Sequence, residues 1–313
     1  MRQVKRVFID GSAGTTGLRI ADRLKCREDM ELLILSGQER KDRACRREML
    51  NSCDIAILCL PDNAAREAAG MVENPNTIVI DTSTAHRTRP GWVYGLPELS
   101  EEMEEKIKAS KRISVPGCHA SGFLALVYPL LVKGVIPRDA RLTVHSVTGY
   151  SGGGKKMIKE YQSDSRSHFL EAPRQYGLDQ VHKHLKEMQA VSGLEKAPVF
   201  CPVVADFYSG LVITVPLFRE DLAAGFGIDD IRDIYRTCYT GPVVKYTEKI
   251  SGDGYLSANM LAGRDSMYIT VEGNEDRILL LAVYDNLGKG ASGAAIQCLN
   301  LATGEDQTLG LSL

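Results

Sequence analysis

The stretch Val4-Lys5-Arg6-Val7-Phe8-Ile9-Asp10-Gly11-Ser12-Ala13-Gly14-Thr15-Thr16-Gly17 sets the fold. A short apolar run meets a glycine trio, and Leu18, Ile20, Ala21 and Leu24 then continue at helical spacing. Strand, glycine loop and helix together make the setting of a nucleotide site. Gly11 permits the tight turn, Gly14 lets the backbone approach a pyrophosphate, and Gly17 lets helix pack closely on strand, with the phosphates at the helix N-terminus. Ser12, Ala13, Thr15 and Thr16 complete the loop and count with the glycines as candidate cofactor contacts. The spacing is G-x-x-G-x-x-G rather than G-x-G-x-x-G, so the trio taken alone also fits a plain turn.

The next strand speaks to the cofactor. Met30 to Leu35 ends in Ser36-Gly37-Gln38, without the acid that would bind an unphosphorylated ribose, and Arg40, Lys41 and Arg43 follow. Hydroxyl and guanidinium groups accept a 2′-phosphate that an acid would repel, so Ser36 and Arg40 favour NADP over NAD; a solvated basic helix is the alternative. Cys53 to Leu60 reads as a buried strand closed by Pro61-Asp62-Asn63, which places Pro61 at the cofactor crevice. Thr77 to Ile80 repeats the pattern and ends in the polar loop Asp81-Thr82-Ser83-Thr84-Ala85-His86-Arg87. The alternation predicts an α/β fold with a Rossmann-like doubly wound parallel sheet over residues 1–117.

Ile113 to Val115 then stops at Pro116-Gly117 and delivers Cys118 to the start of a helix marked by Phe123, Leu124, Leu126, Val127, Leu130 and Leu131. Free N–H groups and the helix dipole there favour a thiolate and can hold an oxyanion, so Cys118 is the candidate nucleophile; a buried, inert cysteine is the alternative. Beyond it, Arg141–Val147, Val199–Val204, Leu211–Leu217, Met267–Glu272 and Ile278–Val283 predict a mixed or antiparallel sheet, an α+β domain over residues 118–285. Thr148 to Lys156 reads as a flexible glycine-rich loop in which Ser151, Gly152 and Lys155 are candidate phosphate or substrate contacts, or else as a hinge. Asp285 to Ala295 opens a last small-residue helix. Asn286 there is a further candidate cofactor contact, and residues 286–313 are expected to complete the first domain.

Composition narrows the partners. The 313 residues carry 38 Lys and Arg against 40 Asp and Glu, a net charge of -2, which gives no electrostatic case for nucleic acid. No apolar run has the length of a bilayer span and no apolar leader precedes the first strand, so the expected setting is the cytoplasm. The eight cysteines form no C-x-x-C pair and read as free thiols, and no metal site is expected. A thiolate chemistry also needs a proton carrier. His182-Lys183-His184 stands at a helix start and offers two, with spacing unable to choose between them; His119 follows the cysteine, but successive residues of a helix point about 100° apart, so adjacency is no argument for pairing.

With these motifs in hand, the chain resembles the N-acetyl-γ-glutamyl-phosphate reductase family in its shorter form, within the semialdehyde and glyceraldehyde-phosphate dehydrogenase group. The resemblance rests on Gly11 to Gly17, Cys59-Leu60-Pro61-Asp62, Asp81 to Arg87, Tyr94-Gly95-Leu96-Pro97-Glu98-Leu99, Pro116-Gly117-Cys118, His182-Lys183-His184 and Asp285 to Gly290. The family often has an aromatic residue and Pro-Thr after the cysteine, and Pro near the second histidine, where this chain has His119-Ala120-Ser121 and Lys186. The resemblance implies NADPH-dependent reduction of an acyl phosphate to N-acetylglutamate semialdehyde in arginine biosynthesis, through a thioester on Cys118. It gives His182 more weight than His184 as acid and base, assigns Arg87 or the Ser151–Lys156 loop to the substrate's anionic groups, and implies a homotetramer. Two rival readings stay open: a reductase of another acyl phosphate, aspartyl or carrier-bound aminoadipyl, and a non-catalytic NADP-binding redox sensor.

Overall fold

The computed structural model describes residues 4–250 and 252–313. In chain order, its first part runs β1 (Lys5–Asp10), α1 (Thr15–Leu24), β2 (Met30–Leu33), α2 (Arg43–Ser52), β3 (Ile55–Leu58), α3 (Asp62–Met71), β4 (Ile78–Asp81), β5 (Val93–Tyr94), α4 (Glu101–Ala109) and β6 (Arg112–Ser114). The second runs α5 (Cys118–Val132), β7 (Thr143–Gly149), α6 (Gly154–Tyr161), β8 (Arg174–Gln175), α7 (Lys183–Ser192), β9 (Val199–Ala205), β10 (Leu211–Phe218), α8 (Ile228–Cys238), β11 (Val244–Tyr246), β12 (Met267–Gly273) and β13 (Arg277–Tyr284), and α9 (Gly293–Thr303) closes the chain. Two compact units result: the residues up to Pro116 with Ala291–Leu311, and Gly117–Gly290 with Ser312–Leu313.

In the first unit six strands pair in the order β2-β1-β3-β4-β6-β5, every pair parallel. A parallel sheet needs cover on both faces, and the period-2 alternation of its apolar strands supplies two cores. Val7, Ile9, Ile55, Ile57 and Ile80 cluster with Ile20 and Leu24 of α1, Ile107 of α4, and Ile296 and Leu299 of α9. Phe8, Ala56, Leu58 and Val79 cluster on the other face with Leu50 of α2 and Ala68 and Met71 of α3. This is the doubly wound arrangement expected from the strand and helix alternation.

The second unit holds a seven-stranded mixed sheet, ordered β11-β12-β13-β10-β7-β9-β8. Its strands alternate between two unlike faces. Val144, Ser146, Phe200, Ile213, Val215, Leu280, Ala282 and Tyr284 are buried on the face against which α5 and α8 pack. The opposite face is exposed at Val199, Phe218 and Leu279, at 54%, 60% and 39%, and buried at Leu281 and Val283. Helix α5 is buried on every side from His119 to Val127, so its N-terminus lies in the interior.

Two expectations change. Thr148 to Lys156 is not a flexible loop but the end of β7, a 3-10 turn over Tyr150–Gly153 and the first turn of α6. Helical order follows because Met157 and Tyr161 recur on one face, and Tyr161 stacks on Tyr150 at 4.7 Å. The last helix opens as a π-helical stretch over Gly288–Ser292 and becomes α-helical at Gly293, rather than starting at Asp285, whose carbonyl accepts from the N–H groups of Gly288 and Gly290 in the turn before it.

Candidate active site

In the first unit the glycine turn has the form that a pyrophosphate needs. Helix α1 is capped by Gly14 with no side-chain hydrogen bond, so its first N–H groups are left for an anion. Gly11 stands at φ +91, and a Cβ there would lie 2.3 Å from the Cys59 carbonyl oxygen; one on Gly17 would lie 2.6 Å from that of Gly11. Only glycine fits either position. Arg40 is exposed on a 3-10 turn over Glu39–Lys41, and the Ser36 N–H donates to the Glu39 carboxylate at 2.8 Å. An acid, Glu39, is therefore present six residues after the end of β2 at Leu33, directly beyond Ser36-Gly37-Gln38 where it was sought. Pro61 caps α3. Arg87 donates to the carbonyls of Val115 at 2.9 Å and Thr82 at 3.2 Å. Its loop is shaped by buried Asp81, which accepts from the Ser83 hydroxyl at 2.7 Å and pairs with His86 Nδ1 at 2.6 Å.

The second unit contains the cysteine. Gly117 caps α5, Cys118 is its first residue, and the Tyr284 hydroxyl donates to the Cys118 carbonyl while accepting from the Gly122 N–H at 3.0 Å. Gly290 leaves room at the sulfur, since a Cβ there would come within 3.0 Å of the Cys118 Cβ. Helix α7 brings the H-x-H pair: His182 is its N-cap, and its Nδ1 accepts the His184 N–H at 3.2 Å. Atoms of Cys118, His119 and His184 lie within 4.8 Å of one another, while the His182 and His184 rings are 4.7 Å apart.

His119 joins the group as well, a place that its adjacency to Cys118 gave no ground to expect. Its nitrogens are hydrogen-bonded to the Ser146 hydroxyl at 2.7 Å and the Tyr176 hydroxyl at 2.8 Å. Cys118, His119 and His184 also form the kind of donor set that could take a soft metal ion, but both ring nitrogens of His119 are committed to protein partners, so the chemistry of the group is that of a thiol beside imidazoles. Glu187, 2% exposed, accepts the Gly117 N–H at 3.1 Å and lies 3.9 Å from His184 Nε2.

Tyr176, Glu187 and Tyr284 were not legible as site residues. Glu187 alone had a signal, standing three residues after His184 on a predicted helix. Asn286 and Ser151 meet, but in a buried bracket: the Asn286 amide donates to Ser151 Oγ at 3.0 Å and its oxygen accepts from the Gly210 N–H at 2.9 Å. Gly152 and Lys155 are exposed beside it.

Burial governs the titration of the cluster. It pushes His119 down to about 3, with His182 and Lys183 adding to the effect, and His182 down to about 4, with Lys183 adding. Burial and the nearby Cys118 raise Tyr176. Both histidines are therefore neutral in the folded protein at neutral pH, and unfolding restores ordinary basicity. The unfolded chain binds the extra protons, so this contribution to stability is present above about pH 6.5 and is lost as pH falls toward the folded values. Denaturant titrations at pH 7 and pH 5 should differ by about 2 kcal/mol for His119 alone, and the His119→Asn variant should lose that difference.

Comparison with known proteins agrees with this geometry. Residues 6–108 match the family described as semialdehyde dehydrogenase, NAD binding domain, and residues 118–286 the one described as semialdehyde dehydrogenase, dimerisation domain. An N-acetyl-gamma-glutamyl-phosphate reductase of Sinorhizobium medicae is 43% identical over 303 residues, covering 95% of this chain and 98% of the relative. An N-acetyl-gamma-glutamyl-phosphate reductase 2 of Pseudomonas putida is 42% identical over 97% of this chain and 98% of its own length. The crystal structure of aspartate semialdehyde dehydrogenase II from Vibrio cholerae, complexed with ASA, superposes with a TM-score of 0.73 over 96% of this chain and 99% of that one, at 17% identity. The enzyme with NADP from Candida albicans gives 0.66 over 96% and 99%, at 12% identity. Those two establish the shared fold. The full-length identity goes further, and the chain belongs to the N-acetyl-gamma-glutamyl-phosphate reductase family of semialdehyde dehydrogenase-like, NAD(P)-binding enzymes.

Proposed function

We propose that the chain reduces N-acetyl-γ-glutamyl phosphate to N-acetylglutamate 5-semialdehyde with NADPH, releasing phosphate, as a step of arginine biosynthesis in the cytoplasm. The observation that carries the proposal is the Cys118 thiol on the first turn of a buried helix with His119 and His184 grouped around it. The Cys118 S–H passes its proton to a His184 nitrogen, and the sulfur attacks the acyl carbon. The carbon–oxygen bond to phosphate breaks, phosphate leaves with the electron pair, and a thioester joins substrate to protein. When bound, NADPH supplies the hydride that brings the acyl group to the aldehyde level. His184 then gives the substrate oxygen a proton and takes it back as sulfur departs. The resemblance weights His182 for this work, but the thiol groups with His184, and His182 spends its Nδ1 on capping α7. N–H groups at the start of α5 stabilise the oxyanion.

The glycine turn from Gly11 to Gly17 would hold the pyrophosphate, with Pro61 at the crevice and Ser36 and Arg40 at the 2′-phosphate. Arg87, Gly152 and Lys155 are assigned to the substrate's anionic groups, and Asn286 with Ser151 braces that turn. The open face of the mixed sheet would pair with a second copy, and two such dimers would make a tetramer.

The first test runs the reaction backwards, with N-acetylglutamate semialdehyde, NADP and phosphate. Phosphate-dependent NADPH formation by wild type, absent in Cys118→Ser and reduced about 10²–10⁴-fold in His184→Gln, is expected. Turnover only with another acyl phosphate would replace the substrate, and NADP binding with Cys118 oxidation but no turnover would leave a redox sensor. For the cofactor, Arg40→Ala should cost tenfold or more in NADP kcat/KM while leaving NAD unchanged, on the order of 1–2 kcal/mol for a lost phosphate contact. Equal losses with both cofactors would remove Arg40 from the 2′-phosphate. For assembly, the double substitution Phe218→Asp and Leu279→Asp should sediment as a smaller species than wild type; an unchanged mass would move the interface elsewhere.

A further inference from the structure

We infer that Ser146 and His119 fix the direction of the Tyr176 O–H and turn it toward the Cys118 sulfur, which makes Tyr176 a hydrogen-bond donor to the thiolate and the other two its positioning residues. This rests on the reading of Cys118 as the nucleophile.

The His119 ring sets the direction. Burial keeps it neutral, so one nitrogen carries a proton and donates while the other accepts. Nδ1 lies 2.7 Å from the Ser146 hydroxyl and Nε2 lies 2.8 Å from that of Tyr176. Ser146, on β7, is 0% exposed, and among the described residues its hydroxyl has no other hydrogen-bond partner. A proton on Nδ1 would make Ser146 the acceptor and strand its own O–H in the interior. A proton on Nε2 lets Ser146 donate to Nδ1 and strands nothing, so burial selects that tautomer. The Nε2–H then donates to the Tyr176 oxygen, and the Tyr176 O–H must find its acceptor elsewhere.

The neighbours identify it by elimination. His182, neutral through burial, spends Nδ1 on the His184 N–H, which leaves its own proton on Nε2 as a donor, and Lys183 is a donor as well. Phe200 of β9, edge-on to His119 at 5.2 Å, offers no polar group. The Glu187 carboxylate is turned to the Gly117 N–H and to His184, and the Tyr284 hydroxyl to the first turn of α5. Cys118 remains. Its sulfur belongs to the group with His119 and His184, and its charge adds to burial in keeping the Tyr176 hydroxyl protonated. When the thiol proton passes to His184, S–H breaks and N–H forms, while Tyr176 keeps its proton and only shares it with the sulfur. His119 stands at a position where this chain departs from the family's usual residue, so the relay is the chain's own.

Solid-state NMR of protein carrying 15N-labelled histidine reads which ring nitrogen bears the proton, and the His119→Asn variant identifies the His119 signals among those of the six histidines. Nε2–H in wild type is expected; Nδ1–H overturns the proposal. Iodoacetamide alkylation at Cys118, followed by mass spectrometry against pH, reads the thiolate without substrate. Tyr176→Phe should raise its midpoint by about one pH unit, about tenfold slower alkylation at pH 7, and shift the acidic limb of kcat/KM equally. Ser146→Ala, which lets the ring change tautomer, should raise the midpoint by less, and not at all in a Y176F background, while Ser146→Thr keeps the hydroxyl and the wild-type profile. An unmoved midpoint in Y176F or S146A, or an equal effect of S146A in both backgrounds, overturns the proposal. If S146A does not fold, the ring signals and Y176F decide. An active Cys118→Ser enzyme would instead defeat the assigned function.

Discussion

The start of α5 is fixed by the hydroxyl of Tyr284. A helix N-terminus exposes N–H groups that water usually satisfies, and here the helix begins inside the protein. Tyr284, fully buried at 0% exposure, donates to the Cys118 carbonyl and accepts from the Gly122 N–H, the two groups that pair along an α-helix, so its hydroxyl braces the first turn. The same contact explains Gly122, where a Cβ would lie 2.7 Å from the Tyr284 hydroxyl.

Around it the protein keeps its polar groups neutral and paired. His119 joins α5 to β7 through Ser146 and to the end of β8 through Tyr176, and burial keeps the ring uncharged, so three elements meet on it with no ion to desolvate. The Asp285–Gly290 turn works similarly. The Asp285 carboxylate accepts from the N–H groups of Leu287 and Gly263, and Asn286 holds Ser151 and Gly210. A motif that in the sequence suggested a place beside the cofactor is, within its own unit, a clasp that sets the turn carrying Gly290 beside Cys118.

Much of the fold was legible because strand runs such as Ile55–Leu58 and glycine turns such as Gly11–Gly17 are local patterns with local causes. Cys118 was legible for the same reason, since Pro116 and Gly117 mark the helix start. His119 could not be placed from its adjacency to Cys118, because its place is set by Ser146 and Tyr176, 27 and 57 residues away. Tyr284 gave no sign, as a tyrosine in a strand reads as core whether or not its hydroxyl has work to do, and Tyr176 gave none because it stands in the connection after β8. The α6 helix was missed because three glycines outweighed the Met157 and Tyr161 periodicity, and Glu39 because the acid was sought only at the strand end.

The alternation of β7 ties the length of that strand to both faces of the sheet. Ser146 points inward to His119, while its neighbours His145 and Val147 lie on the open face, in register with Thr214 and Val212 of β10. A single inserted or deleted residue would exchange the two sets, sending the hydroxyl outward and an imidazole or a valine into the cluster. The exposed residues that follow α6 could take an inserted residue without this consequence, whereas the seven residues of β7 could not.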